Sequence, residues 1–156
     1  MLIAALLLAV QDPHYPLAEG HAWTYLGSDG KEYVRKVAAF DPATKQYRIE
    51  DPLMKEGFSI DGDGLKHRGK TLWIQLPPKK GAAWEDAKEK VSGAVEGEEE
   101  IEVPAGKFKT FRVKVTTPAF ALTLWLAKDV GEAKREIRLG DQTMTLSLKA
   151  FRPGGK

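Results

Sequence analysis

The sequence predicts a mainly β protein, built as one curved antiparallel sheet or half-barrel of about ten strands. Three observations predict it. Apolar and polar side chains alternate with a period of two over long stretches, above all from Ile101 to Thr117 and from Thr143 to Phe151. Clusters of glycine, proline and aspartate interrupt these runs at short, regular spacing. Only Glu85 to Lys90 has room for a helical turn, so at most one short helix is expected. A sheet of about ten strands must curl or close on itself, hence the barrel or half-barrel.

Leu2 to Val10 is nine consecutive apolar residues, followed by Gln11-Asp12-Pro13. The run is too short to span a bilayer and fits the apolar part of a secretion signal. Residues 1–11 are therefore read as a signal peptide-like segment, 12–152 as a single β-rich domain and 153–156 as a flexible tail. Residues 15–26 enter the fold, with His21, Trp23 and Tyr25 on one face. Ser28-Asp29-Gly30 is a hairpin turn, and Lys31 to Phe40 is the return strand. Asp41 to Thr44 turns the chain again into a short strand from Gln46 to Glu50. Phe58–Asp61 and Leu65–His67 flank the turn Asp61-Gly62-Asp63-Gly64, and Thr71–Leu76 is a further strand.

Pro16, Gly20, Ala22 and Trp23 then recur sixty-one positions later as Pro77, Gly81, Ala83 and Trp84, which suggests either a duplication or two similar strand entries. Glu98, Glu99, Glu100 and Glu102 face Lys107, Lys109, Arg112 and Lys114 across the turn Val103-Pro104-Ala105-Gly106. Phe108 and Phe111 fall on opposite parities; a bulge or a tight turn near Lys109-Thr110 would bring both rings inward. Ala119 to Ala127 is apolar at nearly every position and reads as a strand covered on both faces. Asp129-Val130-Gly131 turns into a strand from Ala133 to Leu139, and the last strand points Met144, Leu146, Leu148 and Ala150 inward.

The pattern Pro16-Leu17, Gly20, Trp23, Tyr25, then Val103-Pro104-Ala105-Gly106 with Phe108, then Trp125, Ala127, Val130-Gly131 and Lys134 resembles that of uncharacterised secreted bacterial envelope β-domains, domains of unknown function. These in turn resemble the lipoprotein-carrier half-barrels, in which a curved antiparallel sheet wraps an apolar groove. The matching residues are turns and aromatics that shape a fold. The resemblance therefore implies architecture and location, and transfers no catalytic residue.

Composition narrows the functions. The chain has 156 residues, a net charge of +2 and 29% charged residues of both signs interleaved, with no basic stripe for nucleic acid. It has no cysteine, which removes disulfides, thiolate metal sites, a cysteine nucleophile and a lipid-bearing cysteine. His14, His21 and His67 show no metal-ligand spacing, and Asp61-Gly62-Asp63-Gly64 places Leu65 and Leu72 where a calcium loop needs oxygen ligands. Nucleophile and phosphate-binding motifs are absent. No catalytic residue, metal or cofactor is assigned.

The aromatics are mostly expected in the core, but Trp23, Tyr25, Trp73 and Trp125 are the candidates to line a concave ligand face. The expected function is a non-enzymatic exported protein, periplasmic or extracellular, that binds a lipid or other apolar small molecule, or an envelope protein. It would contact no nucleic acid and keep no membrane span once the signal is removed. A lipid or lipoprotein carrier and a carboxylate-dependent hydrolase are the alternatives.

Overall fold

The computed structural model describes residues 11–51 and 56–154. The signal-like segment up to residue 10 and the last two residues of the expected tail lie outside the described residues. Alternation does produce strands: β1 (Ala22–Gly27), β2 (Glu32–Asp41), β3 (Gln46–Glu50), β4 (Glu56–Ile60), β5 (Gly64–His67), β6 (Thr71–Gln75), β7 (Ala83–Asp86), β8 (Val91–Val103), β9 (Gly106–Thr116), β10 (Ala121–Ala127), β11 (Gly131–Leu139) and β12 (Gln142–Arg152). All pair antiparallel in one sheet of order β6-β5-β4-β3-β2-β1-β12-β11-β10-β9-β8-β7.

That order corrects two expectations. Among the described residues there are twelve strands rather than about ten, and the sheet is a nearly closed barrel rather than a half-barrel. Each strand lies beside its sequence neighbours, and β1 joins β12 by a ladder from Ala22–Arg152 to Gly27–Leu146, with one bulge. The one interruption is between β6 and β7, the two ends of the sheet. Across that seam the Trp84 indole N–H donates to the Trp73 carbonyl at 3.0 Å. The expected helical turn at Glu85 is also corrected, because no helix occurs among the described residues. Trp84 and Glu85 instead pair with Gly93 and Ser92, and the hairpin is closed by Lys90 in the left-handed region at φ 55°.

The two entry segments share one hydrogen-bond pattern. Gly20 N–H donates to Val37, His21 N–H to Ala18, and Val37 N–H to His21. Sixty-one residues along, Gly81 N–H donates to Val95, Ala82 N–H to Lys79, and Val95 N–H to Ala82. Gly20 and Gly81 have φ of 85° and 82°, a region open to glycine at no steric cost. Both tryptophans are buried, and both second strands carry a bulge just past the equivalent valine. The barrel is thus two six-stranded meanders entered in the same way.

Bulges decide which way side chains point elsewhere in the sheet. In β12, Lys149 is the extra residue opposite Thr24 and Tyr25. It moves Ala150 to the exposed face, against expectation, and turns Phe151 inward to stack on Trp23 at 5.3 Å. In β9 the expected bulge is absent, since Phe108 to Phe111 pair without a break with Ile101 to Glu98. The extra residue is Glu96 on the partner strand, so Phe108 stays on the face opposite Phe111 and packs by Ile101. In β11, Ala133 is extra, with consequences for the site described below.

An eight-stranded barrel is just filled by its inward side chains, whereas wider barrels tend to hold a cavity. Twelve strands need larger filling. Trp23, Tyr25, Arg35 and Arg135 supply it from the strands, and Tyr15 and Leu17 are added from the segment ahead of β1. Each of the six is under 5% exposed, so together they occupy much of the space the described strands enclose.

Candidate functional site

The mouth of the barrel where β1 begins carries the densest chemistry. The segment from Gln11 to Gly20 crosses it. Gln11 holds both ends of the crossing: its amide donates to the Tyr47 hydroxyl at 2.8 Å, and its side-chain oxygen accepts from Leu17 N–H at 3.3 Å. Asp129 N–H donates to the Pro13 carbonyl and Phe40 N–H to Glu19, which ties the segment to the β10–β11 turn and to β2. Leu17 is fully buried.

Beneath this segment lies a closed ionic network. Arg35 on β2 contacts Glu132 at 2.7 Å and Asp51 at 3.2 Å. Arg135 on β11 contacts Glu132 through two nitrogens, at 2.9 and 3.0 Å, and Asp51 at 3.1 Å. The Tyr15 hydroxyl donates to Glu132 at 2.7 Å and accepts from Arg35 at 2.6 Å, while Tyr25 donates to the Glu132 carbonyl. All four charged residues are under 8% exposed. Two positive and two negative charges balance, as burial requires.

A plain strand points residues three apart to opposite faces. Glu132 and Arg135 share the inner face because bulged Ala133 absorbs the odd residue. Burial pushes the Glu132 carboxyl up, but Arg135 and Arg35 outweigh it and hold it down at about 2. Burial also drives the Tyr15 and Tyr25 hydroxyls well above the usual tyrosine range, so both stay protonated donors.

The sequence candidates fall in three places rather than one. Trp23 and Tyr25 are neighbours on the inner face of β1, and the Trp23 indole donates to the Val130 carbonyl at 2.7 Å. Trp73 is the extra residue in β6, at the seam, within an aromatic group of Phe58, His67 and Phe120. Trp125 sits on the opposite face of β10 from Leu124 and Leu126, under Lys134 and bonded to Glu99 at 2.9 Å. All four are buried. His21 meets the chain end, where Gly154 N–H donates to its Nδ1 at 2.6 Å, and burial lowers its pKa.

A solvent-facing cleft of about 440 Å³ lies at this mouth between His14 and the hairpin of β8 and β9. It is lined by His14, Glu98 to Glu100, Lys109 to Phe111 and Lys128, with the His14 and Phe111 rings edge to face at 5.3 Å. The hairpin extends past Ala127, where β10 stops beside Thr110. Its tip folds back so that Ala105 N–H donates to the Leu148 carbonyl on β12, three strands away.

No family model and no curated protein matches the chain. Solved structures with a similar fold exist. One is a protein from Parabacteroides distasonis provisionally described as a lipoprotein: 14% identity, 92% of this chain and 100% of that one covered, TM-score 0.44. A second is an exported protein, also provisionally so described, with a YmcC-like fold from Bacteroides fragilis: 14% identity, 94% and 100% covered, TM-score 0.42. The third is the hypothetical lipoprotein YmcC from Escherichia coli: 11% identity, 87% and 86% covered, TM-score 0.42. At these scores the likeness carries nothing about activity.

Sequence reasoning missed the network. Arg35 had a signal: it falls in phase with Val37, a charge on the apolar face of its strand. Glu132 and Arg135 had none, because their shared face depends on a bulge.

Proposed function

We propose that the protein is a non-enzymatic, exported envelope domain that binds a protein partner on its outer surface at the β1 mouth. One observation carries the reading: the interior is occupied by the Arg35–Asp51–Arg135–Glu132 network and by Trp23, Tyr15 and Tyr25. An acyl chain in the lumen would have to displace charges that cost several kcal/mol each to leave unpaired. The carrier reading therefore finds little support, and recognition shifts to the cleft and the β8–β9 hairpin.

The hydrolase alternative needs two carboxylates converging in a polar cleft. Asp51 and Glu132 do converge, but beneath a buried segment and shared between two arginines. Export rests on the apolar run from Leu2 to Val10.

Native mass spectrometry of protein isolated from the envelope that expresses it tests the proposal. A co-purifying polypeptide is expected. A stoichiometric lipid would overturn the partner reading in favour of the carrier.

A further inference from the structure

We infer that the free outer edge of β8, from Glu96 to Val103, is a docking strand for an extended basic segment of a protein partner. The inference rests on the surface-binding reading and names where and what that surface binds.

β7 pairs with β8 only from Val91 to Ala94, and the ladder on the other side of β8 goes to β9. From Glu96 onward the outer edge of β8 therefore has no neighbour among the described strands. Unpaired strand edges are templates for strand addition, and natural ones are usually short, bulged away or covered. This one spans eight residues, most of them exposed.

The edge is also held in place. Thr110 Oγ1 donates to the Glu99 carbonyl at 2.7 Å, Trp125 binds the Glu99 carboxylate, and the hairpin tip is tied to Leu148. A preformed edge loses little entropy when a strand adds to it.

Side chains set the partner's chemistry. Glu96 and Glu99 are committed to Arg112, at 3.0 and 3.5 Å. Glu98, Glu100 and Glu102 share the opposite face, on the side of the cleft, and hold no ion pair among the described residues. Alternate residues of a strand lie about 7 Å apart. The cations of the hairpin, Lys107, Lys109 and Arg112, stand on β9, so on the cleft face a strand added outside β8 meets Glu98, Glu100 and Glu102 as its cross-strand neighbours, while the other face offers Glu99, Ile101 and Val103. A segment with lysine or arginine at every second position would place one cation opposite each cleft-face glutamate, the arrangement that stabilises strand pairs and fixes register.

The test uses the protein as it stands and a fluorescein-labelled eight-residue peptide alternating lysine and threonine. Two controls accompany it: the same peptide N-methylated on every residue, which has no backbone N–H to give the ladder, and the variant Glu98→Gln/Glu100→Gln/Glu102→Gln. Saturable binding is expected, with amide exchange slowed along residues 96–103. N-methylation should abolish binding, and the triple variant should weaken it at least about fivefold without a change in melting temperature.

Equal binding of the methylated peptide would reduce the effect to charge attraction and overturn strand addition. Equal binding by the triple variant, or no binding at low salt, would overturn the assignment of the edge. A native polypeptide partner found by mass spectrometry together with no peptide binding would leave the surface reading standing and remove this one. Absence of both would remove both.

Discussion

A carboxylate that is buried, bonded to two arginines and one tyrosine, and held down at about 2 is a point of leverage. Glu132→Gln leaves Arg35 and Arg135 sharing only Asp51. Urea unfolding should show a loss of about 3–5 kcal/mol, the usual cost of stranding a buried charge. The pH dependence follows from the same group. Its folded pKa lies below the ordinary 4.5, so its contribution is complete above 4.5 and is lost as pH falls from there towards about 2. Melting temperatures measured across that window should fall for the native protein and much less for Glu132→Gln. At this scale the sequence was half legible. Arg35 stands in phase with Val37 and could have been read as buried. Nothing in the string Gly131-Glu132-Ala133-Lys134-Arg135 announces that Ala133 drops out of register and turns a spacing of three into one shared face.

Among elements, turns were more legible than faces. Val103-Pro104-Ala105-Gly106 reverses the chain as its residues dictate, and Gly106 has φ of 136° with open space, clear to 4 Å, where a side-chain carbon would sit. Gly106→Val therefore meets no clash at its Cβ, only a backbone conformation that a β-branched residue resists. It should lower stability by about 1–3 kcal/mol in thermal or urea unfolding. An unchanged midpoint would mean the turn holds its shape for another reason. The recurring Pro-Gly-Ala-Trp spacing was legible too, because it is written in residues that shape local hydrogen bonds. The faces of Phe108 and Ala150 were not. Each depended on where a bulge fell, Glu96 in one case and Lys149 in the other, and a bulge responds to the neighbouring strand. The Trp125 strand is covered on both sides as its apolar run implied, with Lys134 and the β8–β9 hairpin supplying the outer cover.

For the whole molecule, antiparallel β architecture follows from alternation, but closure does not. Whether a long meander stays an open trough or bends until its ends meet is decided by contacts far apart in sequence. Here the Ala22–Arg152 to Gly27–Leu146 ladder and the Trp84–Trp73 bond make that decision. Once the sheet closes, its lumen must be filled, and the long polar side chains found there are what make a wide barrel solid. The filled barrel and the surface role drawn from it both turn on whether the interior admits a ligand. Titration with cis-parinaric acid, a fluorescent fatty acid, at neutral pH measures this directly. No saturable rise in fluorescence is predicted, with Arg35, Glu132 and Trp23 occupying the space; tight one-to-one binding would contradict the filled barrel and the function drawn from it.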